Sequence, residues 1–302
     1  MVTSARPGLV YTPVLALFVL LWSSGFIAAK IGVVHADTLT FFSLRYAVVT
    51  ALMSALGLAM GAPWPRCWRE VAHVAVAGSM LQVTYFGGVW LAVGKGVGAG
   101  VVTLIVCTQP IITAALVGPF LGERVTRRQW LGLTLGIIGV ALMVAHKLAL
   151  GFGTITGMIW ALIGLLGITF GTLYQKKYCA DMDLRSGSAV QFLVATVSIT
   201  PAALVFEDNV IDWTPAFFAS LAYVALFLLL ISMMLLTVMS CRGAVSQMTS
   251  LFFLVPSVTT LLAYLILGEP VGLITLIGMV IALVGVVLVV TPVCKSDRGG
   301  AR

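Results

Sequence analysis

Ten runs of apolar residues, each close to the length that crosses a bilayer, follow one another along this chain with no gap longer than about ten residues. They fall near 12–33, 39–60, 71–93, 98–121, 129–146, 154–175, 187–206, 215–239, 244–267 and 271–291. A hydrocarbon core of ~30 Å takes about 20 helical residues. The pattern therefore predicts an all-α integral membrane protein with ten transmembrane helices. Composition agrees: 61% of residues are hydrophobic and 9% charged, with a mean hydropathy of +1.13, against about 25% charged residues in soluble domains. No gap offers room for a soluble domain, and the first run reads as an uncleaved helix rather than a removed signal.

The net charge of +7 is spread over short loops and forms no basic stripe, which argues against nucleic acid as a partner. With a cytoplasmic N-terminus, 13 of the 17 Lys and Arg residues fall in inside segments. Positive-inside bias then puts both termini in the cytoplasm. Cys67, Cys179, Cys241 and Cys294 fall on that same side and Cys107 within a span, so no disulfide framework is expected. No His/Cys spacing suggests a metal, and no cofactor is expected.

Sliding the chain against itself by 146 residues aligns Pro110 with Pro256, Gly122 with Gly268, Glu123 with Glu269, Gly132 with Gly278 and Gly139 with Gly285. Between 98 and 144 the register gives 13 identities in 47 positions without a gap. The chain thus divides into two five-helix repeats, 1–148 and 149–302. Five is odd, so the second repeat starts on the opposite face of the membrane, and the expected fold is an inverted repeat of the kind that serves alternating access. Glu123 and Glu269 each stand ahead of a new helix, where a carboxylate suits the helix dipole and its unpaired N–H groups.

Ten spans as five plus five, "LWSSGFIAAKIG" in the first span, "TLTFFSLRY" opening the second, and the repeated Pro, Leu-Gly-Glu, Gly, Gly pattern resemble the drug/metabolite transporter superfamily, specifically its EamA-type exporters. Within it the chain is most similar to aromatic amino-acid exporters of YddG type. The resemblance implies export of amino acids.

Polar groups in a bilayer core face the bundle interior or a wet cavity. Gly78, Gln82, Tyr85 and Val89 make one such stripe on the third span, and Ser246, Ser250, Phe253, Ser257, Thr260 and Tyr264 another on the ninth. Trp160 heads a stripe with Gly164, Gly167 and Gly171, which as small residues also suit helix packing. Trp22 lies on the first span. Pro110 and Pro256 should kink their helices at equivalent places and each free a carbonyl, and Gln109 adds a donor and an acceptor beside it. Arg45, about seven residues into the second span, either attracts a substrate carboxylate or bonds helix-end carbonyls. The candidate cavity residues are accordingly Trp22, Arg45, Gln82, Tyr85, Gln109, Trp160, Ser246, Ser250 and Ser257.

No Asp or Glu falls mid-span. That removes the usual carboxylate proton relay and favours a facilitator of apolar or aromatic amino acids over a proton antiporter. The rival reading is export of another small metabolite or neutral drug, a purine-like solute for example, with proton coupling. No intramembrane catalytic motif is present, so an enzyme is not expected. The partners are then a small-molecule substrate and the bilayer. The functional unit is expected to be a monomer, although the glycine spacings at Gly132–Gly136 and Gly153–Gly157 also suit a dimer.

Overall fold

The computed structural model describes residues 7–148, 153–240, 249–267 and 271–290, and what it describes is helical. Helices α1 (Pro7–Gly32) and α2 (Thr38–Ala59) are followed by α3 (Trp68–Gly78), a π-helical turn at Ser79–Thr84, and α4 (Tyr85–Gly94). Next come α5 (Ala99–Val106), α6 (Gln109–Leu121) and α7 (Arg127–Leu148). The second half holds α8 (Ile155–Tyr178), α9 (Leu184–Phe206), α10 (Pro215–Ser240), a 3₁₀ turn at Leu251–Phe253, α11 (Leu254–Leu267) and α12 (Leu273–Val290). Seven stretches among the described residues are long and apolar enough to cross a membrane: Thr38–Ala59, Trp68–Gly94, Gly100–Leu121, Arg127–Ala145, Ile155–Tyr178, Arg185–Phe206 and Leu273–Val290. Three shorter apolar helical stretches, Ala16–Gly25, Pro215–Phe227 and Leu251–Ile266, fall within the first, eighth and ninth expected spans.

The helices pair according to the repeat. A shift of 146 residues carries α1 onto α8, α2 onto α9, α3–α4 onto α10, α5–α6 onto the 3₁₀ turn and α11, and α7 onto α12. The principal packing pairs are α7 with α12, α2 with α9, α4 with α8, and α1 with α10. Exchanging the halves turns each of these pairs into itself or into another of the set. Two of them join a helix to its own counterpart, and both run antiparallel. On α7 and α12, a Cβ on Gly132 would lie 2.5 Å from Gly285 O, while one on Gly278 would lie 2.6 Å from Gly139 O. On α2 and α9, Ser43 and Thr200 hydroxyls meet at 2.7 Å and those of Thr50 and Thr196 at 3.3 Å. Thr50 and Thr196 are each other's counterparts in the repeat, and each hydroxyl also donates to the carbonyl four residues back, Tyr46 O at 2.7 Å and Phe192 O at 2.8 Å. The rings of Tyr46 and Phe192, counterparts again, stack at 6.1 Å.

Membrane helices associate through close backbone approach rather than through a hydrophobic drive, and the glycines supply it. Gly132, Gly136 and Gly139 seat α7 against α12 and Phe253, and Gly164 and Gly167 seat α8 against α4 and the π turn. The glycine run on α8 is thus a helix contact, and the Gly153 and Gly157 positions are used within the chain, against Gly96 and Val97.

Both prolines do something other than bend a continuous helix. α5 ends at Val106 and α6 starts at Gln109, with Pro110 in its first turn; α11 starts at Leu254, with Pro256 in its first turn after the 3₁₀ segment. A first-turn N–H has no intrahelical partner, so proline costs nothing there. The fourth span is consequently two segments meeting at a break, and the described part of the ninth changes from a 3₁₀ turn to α-helix at the equivalent point.

The expected helix-dipole role of Glu123 is also corrected. Thr126 and Gln129 form the capping box that starts α7: Thr126 N–H donates to Gln129 Oε1 at 2.8 Å and Gln129 N–H to Thr126 Oγ1 at 3.3 Å. Glu123 instead pairs with Lys176 of α8 at 2.5 Å. Glu269 lies outside the described residues.

At the end of the bundle where α2 begins, the chain crosses between halves. Asp212 N–H donates to His35 O at 2.7 Å and Ala36 bridges Ile211. Glu207, just past α9, caps α2: its carboxylate accepts from Leu39 N–H and Thr40 N–H, both at 2.8 Å, and from the Thr40 hydroxyl at 2.9 Å. Charge-assisted hydrogen bonds contribute about 1.5–3 kcal/mol each. Glu207→Ala should lower stability by about 2–4 kcal/mol, read as a drop in melting temperature in detergent, with Glu207→Gln recovering part of the loss.

Candidate functional site

Among the candidate residues of the first half, Arg45 on α2 meets α4 and the π turn, through the Phe86 ring and through Tyr46, whose hydroxyl reaches Gln82 O, while Gln109 stands at the break between α5 and α6. Arg45 stands one third of the way along α2 and is only 4% exposed. Its guanidinium carbon lies over three rings, Phe42 at 5.3 Å, Tyr46 at 5.4 Å and Phe86 at 5.5 Å. Trp90 closes the cage beside Phe42, at 5.1 Å between ring centroids. The sequence left two roles open for Arg45, a substrate carboxylate or helix-end carbonyls. Its Nε has no hydrogen-bond partner, and no ion pair to it exists among the described residues. A membrane-buried arginine costs about 2.5–3.5 kcal/mol on insertion scales. Ring faces offset that by about 0.5–2 kcal/mol per contact. The charge is tolerated in the cage and not neutralised by it.

Tyr46 joins α2 to the π turn: its hydroxyl donates to Gln82 O at 3.3 Å. A π turn leaves the α-helical bonding pattern, which exposes carbonyls to outside donors. The same turn breaks the helical spacing that placed Gly78, Gln82, Tyr85 and Val89 on one face. Gln82 keeps its side-chain Oε1 buried without a partner. Tyr85, 6% exposed, lies against the cage through Phe86, their ring centroids 4.7 Å apart.

Just past the break between α5 and α6, Gln109 is 1% exposed with an unpartnered Nε2, and Thr113, one turn on, is fully buried with an unpartnered hydroxyl. The counterpart of Thr113 in the second half is Thr259, and its hydroxyl is buried and unpartnered too. Buried polar groups without partners cost about 1–3 kcal/mol each, and their recurrence at equivalent positions past equivalent helix breaks makes them candidates for contact with a solute.

The remaining candidates sit apart. Trp22 packs among Phe18, Phe227 and Phe252, with centroids at 5.7, 6.4 and 5.1 Å. Trp160 lies beside an apolar cluster of Ala92, Val97 and Ala161 near the start of α8. The Ser257 hydroxyl donates to Met143 Sδ of α7 at 3.3 Å, and Ser250 is fully buried at the 3₁₀ turn. Ser246 lies outside the described residues. Sequence reasoning missed Tyr46, Phe86, Trp90, Thr113 and Thr259. The aromatic residues follow an i, i+4 spacing on each helix, Phe42 with Tyr46 and Phe86 with Trp90. The threonines are an identity in the repeat register. Among the described residues no group of three or more His, Cys, Asp or Glu is placed to hold a metal.

Two stretches, 11–145 and 155–291, each match the EamA-like transporter family. The chain belongs to that family. This EamA-like transporter is 25% identical to the uncharacterized transporter YvbV of Bacillus subtilis, over 95% of this chain and 93% of that protein. It is 25% identical to the uncharacterized inner membrane transporter YedA of Escherichia coli K12, over 91% of this chain and 89% of the relative. A probable amino-acid metabolite efflux pump of Salmonella typhimurium is also 25% identical, over 89% of this chain and 91% of that protein. A solved crystal structure superposes with a TM-score of 0.72 at 18% identity, covering 92% of this chain and 96% of that one, and so shares the fold. The chain is accordingly a multi-pass membrane transporter built from two EamA repeats.

Proposed function

We propose that this EamA-like transporter is an alternating-access carrier whose two five-helix repeats, 1–148 and 149–302, lie in opposite orientation and supply ten spans. In this reading it exports small metabolites with an apolar or aromatic body and a carboxylate across a bacterial inner membrane, amino acids being the leading class. The functional unit is one chain with both termini cytoplasmic, and it performs no covalent chemistry. The observation that carries the reading is the antiparallel packing of α2 on α9 and of α7 on α12, helices that the repeat makes equivalent. Two like halves related in this way can exchange conformations, and the exchange opens a central site first to one side and then to the other. The broken spans beside Gln109 and Thr259 supply walls that can change shape at that site. The name borne by the Salmonella relative supports amino acids as substrates, and the lack of any Asp or Glu mid-span supports a facilitator.

Purified protein in liposomes is expected to take up a labelled aromatic amino acid saturably, faster when unlabelled solute waits on the far side, and with no response to a pH gradient. Uptake without that counterflow would identify a pore and end the alternating-access reading. Strict dependence on the proton gradient would remove the facilitator, and transport of a purine or dye alone would remove the substrate class.

A further inference from the structure

We infer that the site selects a net anion: an aromatic or apolar metabolite carrying a carboxylate with no compensating ammonium. This rests on the carrier reading just given and narrows its carboxylate-bearing substrates to those without an ammonium, in place of free amino acids.

Charge is the first ground. Arg45 is buried in a cage of three ring faces with no acid beside it. The position matching Arg45 in the second half is Gln191, so the repeat brings in neither an opposing acid nor a second cation. The acids nearest to α2 are engaged at its beginning, about 10 Å along the helix from Arg45 at ~1.5 Å per residue. Glu207 caps Leu39 and Thr40 there, and Asp37 accepts from Val210 N–H at 3.2 Å.

Hydrogen-bonding capacity is the second. Arg45 Nε is a buried unpaired donor, suited to a carboxylate. An ammonium would bring three donors, and on the π turn that Tyr46 joins to α2 the buried unpaired acceptor among the described side chains is Gln82 Oε1. The ring faces that ordinarily receive an ammonium already lie under the guanidinium, and a second cation placed there is repelled by the first.

A carrier that moves a net anion moves charge, so the membrane potential drives it. An inside-negative potential expels an anion without any coupled proton, which agrees with spans that contain no carboxylate relay.

The test compares four labelled compounds sharing one ring in proteoliposomes: tryptophan, N-acetyltryptophan, tryptamine and indole, with a potential imposed by potassium and valinomycin. The acetylated anion is expected to exceed tryptophan in kcat/KM by about ten-fold, the factor of one charge-assisted hydrogen bond. Its uptake should speed up when the interior is positive and slow when it is negative. Arg45→Gln should bring the ratio of anion to zwitterion to about one, and Arg45→Lys should keep most of it. Should either variant not fold, the wild-type comparison decides alone. Tryptophan uptake equal to or faster than that of the anion, or anion uptake blind to the potential, overturns the inference and leaves the carrier standing. Transport of none of the four overturns the carrier's substrate reading and this inference with it.

Discussion

Gly139→Val should abolish the folded transporter or lower its melting temperature by more than any other single change considered. A Cβ at 139 would lie 2.5 Å from Ala282 N and 2.6 Å from Gly278 O. These are backbone atoms and cannot swing aside as a flexible side chain would. Overpacking ordinarily costs about 1–3 kcal/mol, and a backbone clash forces α7 and α12 apart along their length, so the cost lies at or above the top of that range. Gly285→Val should behave alike, since its Cβ would lie 2.6 Å from Gly132 O and 2.7 Å from Gly136 N. Size-exclusion profiles and thermal melts in detergent read the effect. A normal profile for both variants would mean that α7 and α12 do not meet as described.

The second large effect has opposite signs on stability and on transport. Gln109→Leu and Thr113→Val remove polar atoms that are buried without partners, so each should stabilise the protein by about 1–2 kcal/mol. If those atoms meet the solute, the same changes should reduce kcat/KM by about ten-fold or more, because a passing polar group then finds nothing to bond. Thr259→Val should match Thr113→Val in direction, being its counterpart. Transport unchanged in all three variants would remove the helix breaks from the site, and a fall in stability would mean the groups have partners after all.

Much of this architecture was legible in the sequence because two signals repeat. The apolar runs set where helices lie, and the register of Pro, Gly, Glu and Gly made two halves visible before any coordinates. Arg45, Gln82, Tyr85 and Gln109 are candidates on sequence alone because a polar residue inside an apolar run stands out. The aromatic cage does not show in the sequence, since Phe42, Tyr46 and Phe86 look like ordinary membrane residues until two helices bring them over one guanidinium. Helical spacing also failed at Ser79–Thr84, where the π turn changes the period, and at Pro110 and Pro256, which begin helical segments instead of bending them. Glu123 was misread for a related reason: its partner, Lys176, stands 53 residues away in the chain, and no local rule anticipates it.

The clamp by Glu207 on α2 bears on a different matter, the balance between conformations. Were the two repeats identical in sequence, the arrangement open to one side and its rotation-related partner open to the other would have equal free energy. Only residues that differ between counterparts can lift that degeneracy. Position 207 corresponds to Gly61 in the first half, which has no side chain with which to answer the three hydrogen bonds Glu207 makes. Under the proposed exchange of conformations, this difference between the repeats ties one end of the bundle by three hydrogen bonds where the equivalent end has the Ser186 hydroxyl on Pro63 O at 2.7 Å, and so contributes to which face the resting carrier presents.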